Sequence, residues 1–372
     1  MLSYVDGFGH VRVRSADGLE RALTSDWMMA RSSAEGARSL YRWPTWHPGG
    51  TRIASVGLLI DGNRVLSEIV WILTVEGATV DGLVDLPDSS LVYAQWNQAA
   101  ERVGLLLQDT QGISLSIVEA RASAERCLAV RGAPLFIAAE RSPGREGFVA
   151  HVRAEATDAR IVFLPEGRTW GRPGFFRVPW VLDDGRVVCT QRRGEAGHTL
   201  GLLDGDRFVE IAGLAGRVAF VPLGCGRAVV AEAARLDSPG YSRLAILDAD
   251  RQSYEPLVER TCVAVFPAGQ ERLLLVDEEA QGSFDWASID LATRSETPLG
   301  RFAASASDLM RIGFFDQYAL SHPLASSDGR SVALAGRRAG EASRQSGIYL
   351  LEATGSTPPE RIADGSFAVF GG

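Results

Sequence analysis

Three side chains that can exchange protons lie close together in the carboxyl-terminal part of the sequence: Asp316, Tyr318 and His322. An imidazole titrates near neutral pH, and burial can raise the pKa of a carboxyl group toward the same range. This spacing favours general acid–base catalysis if the three side chains meet around a substrate. A structural role is the alternative, in which Asp316 caps backbone amides and His322 bonds to a carbonyl group.

Two segments, residues 25–43 and 301–320, combine methionine with aromatic residues and hold every methionine except Met1. Loops normally carry few large apolar side chains, so this density requires a partner that buries them. We expect the segments either to pack internally or to form a lid over a ligand or a docking ridge for a partner. In the second case the ligand-binding residues are Trp27, Met28, Met29, Tyr41, Trp43, Met310, Phe314, Phe315 and Gln317.

A further candidate pair is Arg192 with His198, in a predicted loop that also contains Glu195. Arginine can hold a carboxylate or a phosphate by paired hydrogen bonds, so this loop is a candidate contact for an anionic group. A solvent-exposed, purely structural loop is the alternative.

Other catalytic classes are excluded or unsupported. All 38 basic residues are arginine, which excludes a lysine Schiff base. The sequence contains no Gly-rich phosphate loop before a helix, and its cysteines and histidines lack the spacing of metal ligands. We therefore predict no metal and no cofactor.

The elements that must position these residues come from a repeat. An apolar run, a tight turn and an alternating run recur about eight times, at roughly 40 to 60 residue spacing. The turns contain glycine, which adopts positive φ, and proline, which presets φ near −65°, as in Pro48-Gly49-Gly50 and Ser327-Asp328-Gly329. This repeat is typical of an all-β β-propeller.

We predict a single domain, residues 1–372, with eight four-stranded blades and seven as the alternative. One hairpin type occurs once more often than the other, and the strand at 366–370 supplies the missing inner strand. The first blade then combines residues 1–24 with 365–372, which closes the ring and removes exposed sheet edges. In this arrangement, residues 25–43 and 301–320 are insertions at the upper rim of the ring.

The pattern W-x-P-x-G-x-x-I-A from Trp46 to Ala54, and a similar run at 326–333, resemble the repeat of the TolB-like, WD-repeat-like propeller family. The resemblance covers nearly the whole chain and implies fold more than function. The same repeat builds the propeller of prolyl-oligopeptidase-type peptidases, but no G-x-S-x-G elbow occurs here, which excludes a serine peptidase. TolB is periplasmic, whereas the amino terminus here has no signal-peptide pattern, so we expect a cytoplasmic location.

The net charge of the protein limits the classes of partner that we expect it to bind. The 38 basic and 46 acidic residues give a net charge of −8, so the average surface repels nucleic acid and anionic lipid. No apolar run reaches the roughly 18 residues that span a bilayer, so we expect no membrane insertion. We predict a recognition module that binds a small apolar or aromatic molecule, or a peptide or protein, at the upper mouth of a central funnel. The alternatives are a cofactor-free lyase, cyclase or isomerase, and a scaffold subunit of an assembly.

Overall fold

The structure is a computed structural model of the 372-residue chain. It describes every residue except 26–27, 29–36, 121–125, 132–135, 142–145, 156–157, 172–176, 193–196, 344 and 372, and gives only the backbone of 126–129, 131, 154–155, 158–159 and 192. Trp27 and Met29 therefore lie outside the described residues.

Most of the described chain forms antiparallel four-stranded sheets whose strands follow sequence order. The first of these contains β4 (Arg38–Trp46), β5 (Arg52–Asp61), β6 (Arg64–Thr74) and β7 (Thr79–Asp85). The second contains β8 (Ser90–Trp96), β9 (Arg102–Asp109), β10 (Gly112–Glu119) and β11 (Arg126–Arg131). The third contains β12 (Phe136–Ala139), β13 (Phe148–Glu155), β14 (Asp158–Leu164) and β15 (Arg168–Trp170). The fourth contains β16 (Trp180–Val181), β17 (Val187–Arg192), β18 (His198–Asp204) and β19 (Arg207–Leu214), and the fifth β20 (Val218–Gly224), β21 (Arg227–Glu232), β22 (Arg243–Asp248) and β23 (Ser253–Val258).

The remaining strands join into one ten-stranded sheet that contains both ends of the chain. Its order is β24 (Ala264–Ala268), β25 (Arg272–Ala280), β26 (Ser283–Asp290), β27 (Glu296–Ala304), β28 (Ser331–Arg338), β29 (Gly347–Glu352), β30 (Glu360–Phe370), β1 (Leu2–Asp6), β2 (Val11–Arg14) and β3 (Glu20–Ala22). The long strand β30 pairs with β29 up to Asp364 and with β1 from Gly365 to Phe370. The carboxyl-terminal strand is thus hydrogen-bonded to the amino-terminal strand.

The second strands of the four-stranded sheets, such as β5, are buried on both faces because a neighbouring sheet lies on each side of them. In β5, every residue from Ile53 to Ile60 is buried. Ile53 packs in a cluster with Val11 of β2, whereas its neighbour Ala54 packs in a cluster with Val103 of β9. Alternate side chains of one strand therefore join different cores, as the two-residue period of a strand requires.

Neighbouring turns also pack closely, and this contact requires glycine. Gly329 has φ +69°, and a Cβ atom there would lie 2.5 Å from the carbonyl oxygen of Ala268 at the end of β24. A larger residue at this position would meet both backbone strain and a steric clash.

The predicted insertion 301–320 is only partly an insertion. Residues up to Ala304 belong to β27, and helices α1 (Ala306–Gly313) and α2 (Phe315–Tyr318) follow. Ser305 caps α1, since its hydroxyl oxygen accepts from the backbone N–H of Asp308 at 3.1 Å. Likewise, residues 38–43 of the predicted insertion 25–43 lie in β4.

The helices interrupt what is otherwise a strand beside β28. The end of β27 pairs with the upper part of β28, and Ala325 forms a bridge with Val332 at its lower end. Residues 305–323, called the central segment below, lie between these two pieces of backbone. Ile312 and Phe315 of this segment belong to the largest apolar cluster among the described residues, together with residues of β20 to β29.

Candidate functional site around the central segment

The central segment binds the first strands of several sheets through its side chains. The side-chain amide of Gln317 pairs with the backbone of Ile137 in β12: Oε1 accepts from N–H at 2.8 Å, and Nε2 donates to the carbonyl oxygen at 2.7 Å. The Tyr93 hydroxyl in β8 lies 3.0 Å from the Gln317 carbonyl oxygen and 2.6 Å from Oγ of Ser321. A glutamine side chain here replaces a neighbouring strand, which satisfies backbone groups that face the centre.

A buried ion pair in the central segment likewise bonds to backbone groups, here those of β28 and β30. Arg311 and Asp308 pair within α1, and the side chain of Arg311 is only 1% exposed. Arg311 donates from Nη1 to the carbonyl oxygen of Ala368 in β30 at 2.8 Å and lies over the Phe367 ring at 4.7 Å. Asp308 accepts from the backbone N–H of Ala335 in β28 at 3.2 Å, so a carboxylate occupies the place of a missing strand carbonyl.

Asp316 faces a different arginine. Its carboxylate lies 3.6 Å from Nη1 of Arg177 and is fully buried. Arg177 also donates from Nε to the carbonyl oxygen of Val218 at 3.3 Å and from Nη2 to the Tyr241 hydroxyl. Within the described part of the chain, neither carboxylate oxygen of Asp316 accepts a hydrogen bond. The Arg177 guanidinium therefore stabilises the Asp316 carboxylate by electrostatic attraction rather than by a full set of hydrogen bonds.

His322 is held between two hydroxyl groups. Its Nε2 lies 3.0 Å from Oγ1 of Thr45, and its Nδ1 lies 2.6 Å from Oγ of Ser321. Because the Thr45 hydroxyl donates to the Trp43 carbonyl oxygen, it accepts from Nε2–H, which leaves Nδ1 to accept from Ser321. Burial, with a smaller contribution from the positive charge of Arg311, lowers the pKa of His322 to about 3. The imidazole is therefore neutral at physiological pH.

An aromatic cluster surrounds His322. It contains Trp43, Tyr93, Tyr318 and Phe367, with ring centroids 5.1 to 6.3 Å apart in the contacting pairs. Trp43 reaches this cluster from a bulge in β4, where its φ is +53°. A bulge turns a side chain out of the regular alternation of its strand, and here it directs the indole to the centre.

Among the described residues, the three predicted acid–base residues form no single hydrogen-bonded group, although Tyr318 and His322 are neighbours. Asp316 faces Arg177, whereas His322 contacts Thr45 and Ser321. Tyr318 packs against His322, but burial raises the pKa of its phenol, and its hydroxyl contacts only the Val92 carbonyl oxygen at 3.5 Å among the described residues. The geometry provides three separately anchored groups rather than one proton-transfer centre.

One small cavity adjoins the central segment among the described residues. A cavity of about 80 Å³ lies next to Leu320, between Trp96, Trp180 and Pro222. Ligand pockets usually enclose about 300–1,000 Å³, so this space is far below the usual size.

The predicted ligand-binding residues separate into buried and exposed groups. Five of them are buried or packed in the core: Met28, Tyr41, Phe315, Gln317 and, with partial burial, Trp43. Phe315 illustrates the environment, since its ring lies 5.5 Å from that of Tyr241 and 6.2 Å from that of Phe266. Tyr41 donates from its hydroxyl to the Ser25 carbonyl oxygen at 3.0 Å, which ties the other predicted insertion to β4.

The exposed group forms the outer surface of the central segment. Met310 and Phe314 are each 42% exposed, and the neighbouring Leu309 is 44% exposed. These three residues are called the mouth patch below. The Phe314 ring also lies 6.5 Å from that of Phe136 in β12, which helps to fix its position.

The pair predicted to contact an anionic group, Arg192 and His198, lies in a sheet. The structure places His198 at the start of β18, where it is buried, rather than in a loop. Arg192 lies opposite His198 in β17, and its side chain lies outside the described residues.

Sequence reasoning overlooked the residues that anchor the segment: Thr45, Tyr93, Arg177, Asp308 and Arg311. One local signal was available, because Asp308 and Arg311 have the i, i+3 spacing of an ion pair on a helix. No local signal marks Arg177, since its partners are brought together only by the fold.

Comparisons with known proteins show the fold. No family model matches the chain, and no curated protein matches it. Among solved structures, the chain is similar to the dihydro-heme d1 dehydrogenase NirN in complex with DHE, with TM-score 0.59 and 13% identity over 98% of this chain and 73% of that one. It is also similar to the C-terminal WD40 domain of Sif2, with TM-score 0.52 and 11% identity over 86% of this chain and 84% of that one.

A third similar structure is that of prolyl endopeptidases, with TM-score 0.50 and 12% identity over 95% of this chain. The chain spans about half of that protein, since it covers 46% of its length. At such identities the likeness shows the fold alone: the protein is a β-propeller with WD40-like relatives in structure. The TolB-like repeat stays a prediction. Within the described residues, no helix combines the length and apolar character that a membrane crossing requires.

Proposed function

We propose that the protein is an eight-bladed propeller that acts as a recognition module, and that its mouth patch binds an apolar or aromatic group of a small molecule or peptide. Five separate four-stranded sheets support the blade count, because the ten-stranded sheet divides into three further units at β27 and β30. Five and three give eight. The pairing of β30 with both β29 and β1 supports a ring whose last strand belongs to the first blade.

The anchoring of the central segment supports binding on its outer surface rather than beneath it. Gln317, Arg311 and Asp308 bond to backbone groups of three strands, and the aromatic cluster packs on the inner side. A ligand that entered below the segment would have to displace these buried bonds. The outer surface is available without any such cost.

The mouth patch carries the proposal. Large apolar side chains that remain exposed on a rigidly held surface frequently mark interaction sites, and methionine adapts its shape to different partners. Leu309, Met310 and Phe314 are consecutive or nearly consecutive residues whose exposure has no role in packing the core. The same geometry would serve a protein partner, so the scaffold alternative becomes an outcome of the test.

The test uses the fluorescent probe 1-anilinonaphthalene-8-sulfonate with a variant that carries Leu309→Ser, Met310→Ser and Phe314→Ser. We expect its affinity for the probe to fall about tenfold or more, because most of the apolar contact area is removed. A matched control carries Leu19→Ser, Val80→Ser and Leu236→Ser, at residues that are 71%, 41% and 53% exposed elsewhere on the protein.

Thermal unfolding would verify that both variants retain the fold. Equal probe binding by the two variants, or a loss confined to the control, would overturn the proposal. If the probe binds as expected but size-exclusion chromatography of cell extracts shows the unmodified protein only in a larger complex that the patch variant fails to join, the occupant is a protein.

A further inference from the structure

A groove lies on one face of the fifth sheet, formed by side chains of β21, β22 and β23 and of the turns that join them to their neighbours. Its volume is about 560 Å³, within the usual range of ligand pockets. Ala228 and Leu247 of this sheet pack in a cluster with the fourth sheet, whereas Ile246 in the groove packs against the cluster that contains Phe266 of β24. The groove therefore lies on the face turned away from the fourth sheet, in a part of the chain, residues 197–343, that is described throughout.

The two aspartates in the walls of the groove already have partners. Asp248 accepts a hydrogen bond from the backbone N–H of Arg251 at 2.9 Å and lies 3.7 Å from the Arg251 guanidinium. Asp250 lies 3.8 Å from the guanidinium of Arg186, just before β17. These contacts hold the carboxylate of Asp248 in its own turn and direct that of Asp250 toward the fourth sheet.

Two charged side chains of opposite sign in the walls have no partner. Among the described residues, neither the guanidinium of Arg227 nor the carboxylate of Glu255 forms an ion pair or a side-chain hydrogen bond. Arg227 lies opposite Asp248 in the register of β21 and β22, but the Asp248 carboxylate is bound within its own turn. The groove thus contains one unpaired cation and one unpaired anion.

The register of the sheet fixes how these two groups are placed. Ile246 of β22 pairs with Glu255 of β23, and Asp248, two residues further along β22, pairs with Arg227 of β21. Residues two apart in a strand lie on the same face, so Arg227, Ile246 and Glu255 share the face of the groove. Two strand spacings and two residue steps separate the Cα atoms of Arg227 and Glu255 by roughly 12 Å. The half-buried Ile246 lies between them.

We propose that this groove binds a zwitterion whose carboxylate meets Arg227, whose ammonium group meets Glu255, and whose apolar chain lies over Ile246. A guanidinium holds a carboxylate by paired hydrogen bonds, and a carboxylate accepts charge-assisted hydrogen bonds from an ammonium group. A free amino acid with a remote amine and the carboxyl-terminal lysine of a peptide share this chemistry. The groove has no wall residue in common with the mouth patch, and the proposal does not depend on the function proposed for that patch.

The test measures binding of three probes by isothermal titration calorimetry: 6-aminohexanoate, hexanoate, which lacks the amine, and hexylamine, which lacks the carboxylate. We expect saturable binding of 6-aminohexanoate and at least about tenfold weaker binding of each single-charge probe, because each loses one charge-assisted contact. Arg227→Gln should weaken 6-aminohexanoate by about tenfold and leave hexylamine unchanged. Glu255→Gln should weaken it by about tenfold and leave hexanoate unchanged.

Matched controls come from the first sheet. Arg64→Gln and Glu76→Gln remove the same charges from exposed positions outside the groove, and neither should change the binding of 6-aminohexanoate. Tighter binding of Nα-acetyl-lysine than of 6-aminohexanoate would identify the carboxyl-terminal lysine of a peptide as the natural source, and the reverse would identify a free amino acid.

Thermal unfolding would verify the fold of each variant, and the comparison of the three probes on the unmodified protein decides the question even if a variant fails to fold. Three results would each overturn the proposal. They are equal binding of 6-aminohexanoate and a single-charge probe, full affinity in a folded Arg227→Gln or Glu255→Gln variant, and no saturable binding of 6-aminohexanoate.

Discussion

Two strands of the ten-stranded sheet, β27 and β30, lead to their next partner strand in contrasting ways. Strand β30 passes directly from pairing with β29 to pairing with β1, and its backbone supplies the hydrogen bonds throughout. At the end of β27 the chain instead leaves the strand, forms the central segment, and returns at Leu324 to bond with β28. An uninterrupted strand is therefore sufficient for the crossing, and the central segment is an addition that fills the middle of the protein.

The difference shows what replaces a strand when the backbone leaves it. Beside β28, Asp308 accepts the hydrogen bond of the Ala335 N–H, and across the centre Gln317 pairs with both backbone groups of Ile137. The replacement by Gln317 buries a neutral amide, whereas that by Asp308 buries charge, and a buried charge is tolerated only while it stays paired and hydrogen-bonded. The interrupted crossing should consequently be much more sensitive to single substitutions than the continuous one.

Two aspartates test this contrast most strongly, since each forms an i, i+3 ion pair with an arginine. Asp308→Ala leaves the buried Arg311 without its partner and should lower the free energy of unfolding by about 3–5 kcal/mol. Asp364→Ala removes the corresponding exposed pair with Arg361 in β30 and should cost less than about 1 kcal/mol. Urea denaturation measures both values, and similar losses in the two variants would contradict the contrast.

Two adjacent phenylalanines test the contrast between buried and exposed positions within the central segment. Phe315→Ala removes a ring that is 2% exposed and should lower the free energy of unfolding by about 3 kcal/mol. Phe314→Ala removes a ring that is 42% exposed and should cost less than about 1 kcal/mol. The same denaturation experiment applies, and a larger loss for Phe314 than for Phe315 would mean that the segment is rotated relative to the structure described.

The pH dependence of stability gives the smallest and most specific test. Because the pKa of His322 is about 3 in the folded protein and near 6.5 when unfolded, the unfolded chain binds the extra proton between these values. The contribution of neutral His322 to the free energy of unfolding is fully present above pH 6.5 and is lost as the pH falls toward 3. Between pH 6.5 and 5 the loss is about 2 kcal/mol.

His322→Gln should remove this part of the slope, so its loss of stability between pH 6.5 and 5 should be about 2 kcal/mol smaller than that of the unmodified protein. The comparison isolates His322, since His151, whose pKa burial lowers to about 4, is present in both proteins. An unchanged slope would show that His322 does not remain neutral and buried at pH 5.

The regular parts of the fold were predictable because their signals are local. Turn glycines such as Gly329 require a positive φ, and alternating apolar residues mark strands wherever they occur. The structure places the side chains of the predicted acid–base group apart for an equally physical reason. Asp316 and Tyr318 both lie in α2, where residues two apart point to nearly opposite sides, so closeness in sequence separated their side chains in space.

By itself, the sequence determined the repeating strands, the positions of their turns and the presence of an apolar segment after residue 304, because each depends on neighbouring residues. Only the tertiary structure decided that this segment fills the centre, which of its side chains are buried, and which arginine each aspartate meets. The physical reason is distance along the chain: Gln317 and Ile137, which bond to each other, are 180 residues apart, and only the arrangement of the sheets brings them together.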